Sequence, residues 1–185
     1  MLDFLLQSDQ SLLFFIHEHL HFPLLDQLMI LITSIGDKGL IWIGISILLL
    51  ARKETRNIGL MALLALLIST ILGEGILKHI IKRPRPYADF PWVELLIDPS
   101  TIYSFPSGHT ASSFSVAYVF HRYLKKFAPL VWTLAILMGF SRLYLFMHYP
   151  SDIAGGIILG LASGWAASQA FTQYKEKKYE NEKKR

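Results

Sequence analysis

The residues best suited to chemistry fall in three short clusters. The first is Lys78, six residues, then Arg85-Pro86. Lys78 closes a helical stretch, and Pro84 and Pro86 force the next segment to run extended, so two cations reach one place from different backbone geometries. The second is Phe105-Pro106-Ser107-Gly108-His109-Thr110, where an extended loop turns into a helix. Ser107 suits an N-cap, the first amides of the helix have no partner within it, and such a start binds phosphate. Gly108 lets backbone come close to an anion, and His109 sets a titratable ring beside it. The third is Ser141-Arg142, five residues, His148, three residues, Asp152. The Arg142 guanidinium is a fork that matches two phosphate oxygens, and Asp152 is spaced to accept a hydrogen bond from His148 across the Tyr149-Pro150 break. Taken singly, each cluster has a plainer reading: a Glu74–Lys78 pair, a capped helix with an interfacial histidine, an arginine anchor beside an N-capping aspartate. Their coincidence at one end of several helices points to an anion site.

The elements that must position these residues are membrane helices. The chain has 185 residues, of which 52% are hydrophobic and 17% charged, with a mean hydropathy of +0.39. That is more apolar surface than one soluble domain of this size can bury, which excludes a disordered chain and argues against a soluble enzyme. Near-continuous apolar runs predict spans at Leu24–Ile35, Leu40–Ala51, Asn57–Ile81, Ser107–Tyr123, Pro129–Met147 and Ser151–Phe171, preceded by an amphipathic stretch at Leu12–Leu20. The expected fold is all-α: a six-helix transmembrane bundle with a short N-terminal interfacial helix, forming one integral membrane domain over residues 1–185. The first basic residue is Lys38, so the start lacks the n-region of a cleaved signal peptide and is read as mature protein. No cysteine is present, which removes disulfides, thiolate metal sites and a cysteine nucleophile together.

Charge placement orients the bundle. With the N-terminus inside, Arg52, Lys53, Arg56, Arg122, Lys125, Lys126, Lys175, Lys177, Lys178, Lys183, Lys184 and Arg185 all fall on the cytoplasmic side, leaving Lys38, Lys78, Lys82, Arg83, Arg85 and Arg142 outside. Cations at outer helix ends oppose that orientation rule and are costly unless an anion pairs with them. The expected placement is therefore a cell membrane, both termini cytoplasmic, the site facing outside, and a basic tail over 174–185 near the inner leaflet. Gly156, Gly160 and Gly164 form a stripe at four-residue spacing that suits close helix packing, either within the bundle or in a homodimer.

The three clusters together resemble the signature of the type 2 phosphatidic acid phosphatase superfamily, which includes vanadium haloperoxidases and glucose-6-phosphatase. All eleven signature positions match in order, from Lys78 to Asp152. The resemblance implies that His148 is the nucleophile, forming a phosphohistidine, that Asp152 orients it, and that His109 is the general acid. Lys78, Arg85, Ser107, Gly108 and Arg142 would hold the phosphoryl oxygens. It implies neither cofactor nor metal, and the motifs hold one carboxylate, too few for a two-metal site. The implied activity is lipid phosphate or diphosphate hydrolysis at the outer face, with undecaprenyl diphosphate the favoured substrate. Phosphatidylglycerol phosphate, phosphatidic acid and lipid A 1-phosphate are the alternatives. Relatives specific for undecaprenyl diphosphate often carry Ser-Asp-His in the second motif, whereas this chain has Ser107-Gly108-His109. Of the other function classes, a soluble haloperoxidase is opposed by the apolar spans, and a non-catalytic lipid-phosphate binding or transport protein would not need His109 together with the His148–Asp152 pair. Nothing in the sequence suggests a nucleic-acid partner.

Other polar residues take structural readings. Of His17, His19 and His21, only His17 and His21 share a helical face, which gives two metal ligands at most. Tyr87, Phe90, Trp92, Tyr103 and Phe105 read as an aromatic belt at headgroup level.

Overall fold

The computed structural model describes residues 2–99 and 102–183. Lys184 and Arg185 of the expected basic tail lie outside the described residues. The helices are α1 (Leu2–His19), α2 (Pro23–Ile35), α3 (Leu40–Leu50), α4 (Arg56–Ile81), α5 (Gly108–Tyr123), α6 (Ala128–Tyr144) and α7 (Pro150–Lys183). Short helical turns lie at Asp37–Gly39, Pro86–Asp89 and Lys125–Phe127. Among the described residues no strand forms, and a single bridge pairs Pro84 with Tyr103.

α5 is the centre of the bundle and packs against α4, α6 and α7. It is rich in Ser, Ala and Val, and these small side chains let its neighbours approach closely; Ala111, Val116, Ala117 and Val119 are buried. α7 lies nearest. A Cβ built on Gly156, Gly160 or Gly164 would fall 2.8, 2.5 or 2.6 Å from the carbonyl oxygens of Ser107, Ala111 and Ser115, so only hydrogen is tolerated at this seam. The glycine stripe is thus covered by α5 of the same chain.

The path of residues 23–50 departs from the expected pair of antiparallel spans. α2 and α3 are joined by a bend of 44° at Gly36–Gly39, so the chain continues in one general direction instead of reversing. The backbone turns through a left-handed Lys38 (φ 49°) and Gly39 (φ 71°). At 13 and 11 residues the two helices are about 20 and 17 Å long, each short of a hydrocarbon core of about 30 Å, so only the bent pair together has the length and hydropathy of one broken span. Leu66 packs near Gly39 and Gly59 near Ser46, which fixes α3 antiparallel to α4. Among the described residues three helices, α4, α6 extended from Lys125, and α7, are long and apolar enough to cross alone.

The broken span has a consequence for α1. With one span fewer before α4, α1 lies at the end of the bundle that holds the three motifs, away from the basic residues at 52–56, 122–126 and 175–183. It crosses the connection between α6 and α7: Asp9 accepts hydrogen bonds from Ser151, Leu13 is fully buried with Phe146 and Tyr149, and Tyr144 Oη donates to the Leu20 carbonyl and to Asp26. His17 and His21 share a face as expected, and their rings pack on one another and on Phe146 and Tyr144. α1 and the start of α7 thus meet at the bundle end that holds the motifs, and α7 runs from there toward the other end.

Candidate active site

Each motif sits where a helix begins or ends. The last turns of α4 widen into a π-helical segment at Ile71–Leu77, a local feature often found at functional sites. Lys78 follows directly and is 5% exposed, with its ammonium between the two Glu74 oxygens at 2.7 and 2.8 Å. The extended segment after α4, held by the prolines and by the Ser104 amide donating to the Arg83 carbonyl, delivers Arg85. Its Nη1 donates to the Met147 carbonyl at 3.1 Å and lies 3.3 Å from His148 Nε2.

Ser107 is the N-cap of α5 as expected. Its Oγ accepts from the Thr110 amide and hydroxyl, and its own amide donates to the Asp152 carbonyl, stitching the second motif to the third. A Cβ at Gly108 would meet a Glu74 carboxylate oxygen, the far end of a flexible side chain, so a larger residue here would require Glu74 to move aside. His109, on the first turn of α5, lies 4.0 Å from Asp37 across the α2–α3 break.

The last turn of α6 carries Arg142, 4% exposed. Its Nη1 donates to Thr33 Oγ at 2.5 Å, so α2 aims the guanidinium. Among the described residues the buried Nε of Arg142 and Nδ1 of His148 have no hydrogen-bond partner. His148 Nδ1 is 3.5 Å from Asp152 Oδ2, while that oxygen accepts from the Tyr149 amide at 2.8 Å. Burial, and then the cations of Arg85 and Arg142, push the His148 ring well below the ordinary histidine range.

Lys78, Arg85, Gly108, His109, Arg142 and His148 all line one cavity of about 560 Å³. Its remaining wall includes Asp37, Glu74 and the apolar Ile43 and Leu66. Ser107 and Asp152 stand behind it, holding the backbone and His148. Three buried cations against two wall carboxylates make a cavity that favours an added anion, and His148 Nε2 faces it with Asp152 on the opposite ring nitrogen. Among the described residues no group of three or more His, Asp and Glu side chains could hold a metal ion.

Residues 59–176 match the PAP2 superfamily. The chain belongs to that superfamily. Among its PAP2 relatives, the undecaprenyl-diphosphatase of Sulfolobus acidocaldarius is 33% identical over 141 residues, 74% of this chain and 66% of that protein. This chain therefore spans just under two thirds of that relative's length. The crystal structure of Aquifex aeolicus LpxE superposes with a TM-score of 0.76 at 27% identity, covering 86% of this chain and 94% of that one. The first transmembrane PAP2 type phosphatidylglycerolphosphate phosphatase from Bacillus subtilis gives 0.73 at 26%, covering 90% and 86%.

Four residues of the hydrogen-bond network around the candidate site of this PAP2 chain escaped the reading of the sequence. Thr33 carried a signal, a hydroxyl within the apolar run Leu28–Ile35. Arg83 carried one too, an outer cation with no anion assigned to it. Asp9 and Ser151 carried none, because what makes them matter is a contact spanning 142 positions of chain.

Proposed function

We propose that this chain is an integral membrane lipid phosphatase that hydrolyses the phosphate or diphosphate headgroup of a lipid, releasing phosphate through a phosphohistidine intermediate. The observation that carries the reading is the convergence of Lys78, Arg85, Arg142, His109 and His148 on one cavity. In the first step the lone pair of His148 Nε2 forms a bond to the terminal phosphorus as the bond from that phosphorus to the leaving oxygen breaks, the lipid oxygen of a monophosphate or the bridging oxygen of a diphosphate, and His109 gives that oxygen a proton. In the second, water attacks phosphorus, His109 takes up a proton, and the bond from phosphorus to nitrogen breaks. Asp152 stabilises the charge that grows on the ring at Nδ1. Lys78, Arg85, Arg142 and the amides beside Ser107 and Gly108 hold the three equatorial oxygens, where transition-state charge concentrates.

The favoured substrate is undecaprenyl diphosphate, supported by the kinship with an undecaprenyl-diphosphatase. The likeness to a phosphatidylglycerolphosphate phosphatase, and the Glu74 carboxylate where a second phosphate would come close, support a monophosphate as the second reading. The basic residues of the opposite bundle end support a site facing the outside of the cell membrane, with the α7 end cytoplasmic. The test is phosphate release in matched micelles from undecaprenyl diphosphate, phosphatidylglycerol phosphate and phosphatidic acid, with and without EDTA. His148→Ala and His109→Ala are expected to remove nearly all turnover, Lys82→Ala to remove little, and EDTA none. Equal losses in all three variants, or a loss in EDTA that Mg²⁺ restores, would defeat the mechanism. Binding of the lipids without release by the wild type would leave a lipid-phosphate binding protein.

A further inference from the structure

Arg83 lies outside the signature, yet it is the cation that Asp152 faces. Its Nη1 donates to Asp152 Oδ1 at 2.8 Å and to Ser151 Oγ at 2.6 Å, and its Nη2 donates to Asp9 Oδ2 at 2.7 Å. The guanidinium carbon sits 4.1 Å above the centre of the Tyr149 ring, whose hydroxyl is tied to Asp89. Asp9, 5% exposed in the middle of α1, also accepts from the Ser151 amide and hydroxyl. The group is a closed lattice in which one arginine joins α1 to the first turn of α7. Arg83 is not part of the cavity wall that Lys78, Arg85 and Arg142 form, and its bonds are directed at carboxylates, so it is not placed to hold phosphate.

Its effect on the reaction runs through one carboxylate. Asp152 Oδ1 is fixed by Arg83 and Oδ2 by the Tyr149 amide, which sets the plane in which Oδ2 meets His148 Nδ1. At 3.5 Å that contact is longer than a hydrogen bond, so a small rotation of the carboxylate decides whether it closes as charge develops on the ring. We propose that Arg83 and Asp9 are positioning residues for the His148–Asp152 pair, so that the seating of α1 on the bundle end sets the rate of phosphoryl transfer.

This inference rests on the proposed phosphatase reading, and the experiment separates the two. Initial rates on a lipid phosphate in micelles are measured for the full-length wild type, Asp9→Asn, Arg83→Gln, Arg83→Lys and His148→Ala, with thermal unfolding of each. Asp9→Asn keeps an oxygen to accept from the Ser151 amide but sets an NH₂ donor where Oδ2 accepts from Arg83, so it breaks the arginine contact from the α1 side without truncating a side chain and guards against a fold defect peculiar to the arginine variants. Asp9→Asn and Arg83→Gln are expected to lower kcat by roughly tenfold or more with KM within about twofold of wild type, and Arg83→Lys to recover part of the loss. In an Asp152→Asn background, Arg83→Gln is expected to add little further loss, since both changes act on one contact. A lowered thermal midpoint with unchanged kcat would overturn the proposal in favour of a purely structural clasp. A raised KM with unchanged kcat would overturn it in favour of a substrate contact. A wild type as silent as His148→Ala would remove the phosphatase reading and this inference with it, whereas wild-type turnover with no kcat loss in either variant removes only the inference.

Discussion

His148 shows how the residue types and the fold divide the work. A histidine followed three residues later by an aspartate is legible in the sequence, and so is a run of cations near it. The burial of the ring is not legible, because it depends on how the turn at 145–149 folds and on Arg85 reaching the ring from 63 positions away. The same burial ties stability to pH. The unfolded chain takes up a proton on this ring near pH 6.5, while the native ring, pushed well below that by burial and the neighbouring cations, stays neutral. Between the two values the unfolded state binds more protons, so stability from this site is complete above about pH 6.5 and is lost as the pH falls below it. The thermal midpoint in detergent is expected to drop as the pH is lowered from about 7.5 to about 5.5, and His148→Asn to flatten part of that drop. Parallel curves for the two proteins would refute it. The signature residues were all readable because type and spacing define them. Arg83 and Asp9 were not, because their meaning lies in a pairing across 74 positions of chain.

At the scale of elements, hydropathy located nearly every helix and misread one connection. The polar dip at Ser34–Lys38 marks an interruption, and an interruption looks the same in sequence whether the chain reverses or merely bends. The bend lets Thr33, just before it, and Asp37, within it, reach Arg142 and His109. Gly39 is where the bend is most exacting. A Cβ there would meet Ser112 at 3.7 Å, an ordinary contact, so space is not what requires glycine; the positive φ is. Gly39→Ala is expected to destabilise by about 1 kcal/mol with no sign of steric displacement. Gly39→Asn, a residue that tolerates this conformation, is expected to cost less. Chemical or thermal unfolding of the pair checks the order, and an equal loss in both would mean that crowding decides. The α5–α7 seam, by contrast, was plain from its glycine spacing, since close approach of two helices leaves a mark at every fourth residue.

For the whole molecule, the broken span predicts which parts share a side. The absence of cysteine makes the chain a clean background for single-cysteine labelling with an impermeant maleimide. Gln10→Cys on α1 and Trp92→Cys in the loop after α4 are expected to label from one side, and Glu54→Cys and Lys177→Cys from the other. All four positions are exposed. Labelling of Gln10→Cys together with Glu54→Cys would restore the hairpin topology. The length of α5 carries a further meaning. It starts at the cavity-lining Gly108 and ends beside Arg122, Lys125 and Lys126, and its 16 residues rise only about 24 Å. A hydrocarbon layer is about 30 Å thick. Measured from the basic surface, the floor of the cavity therefore lies several ångströms beneath the opposite headgroup plane. A lipid that docks here must let its phosphate sink toward its own acyl tails, or the bilayer must dimple to meet it. Membrane thickness then becomes a variable of the reaction, with thinner bilayers presenting the headgroup nearer to His148.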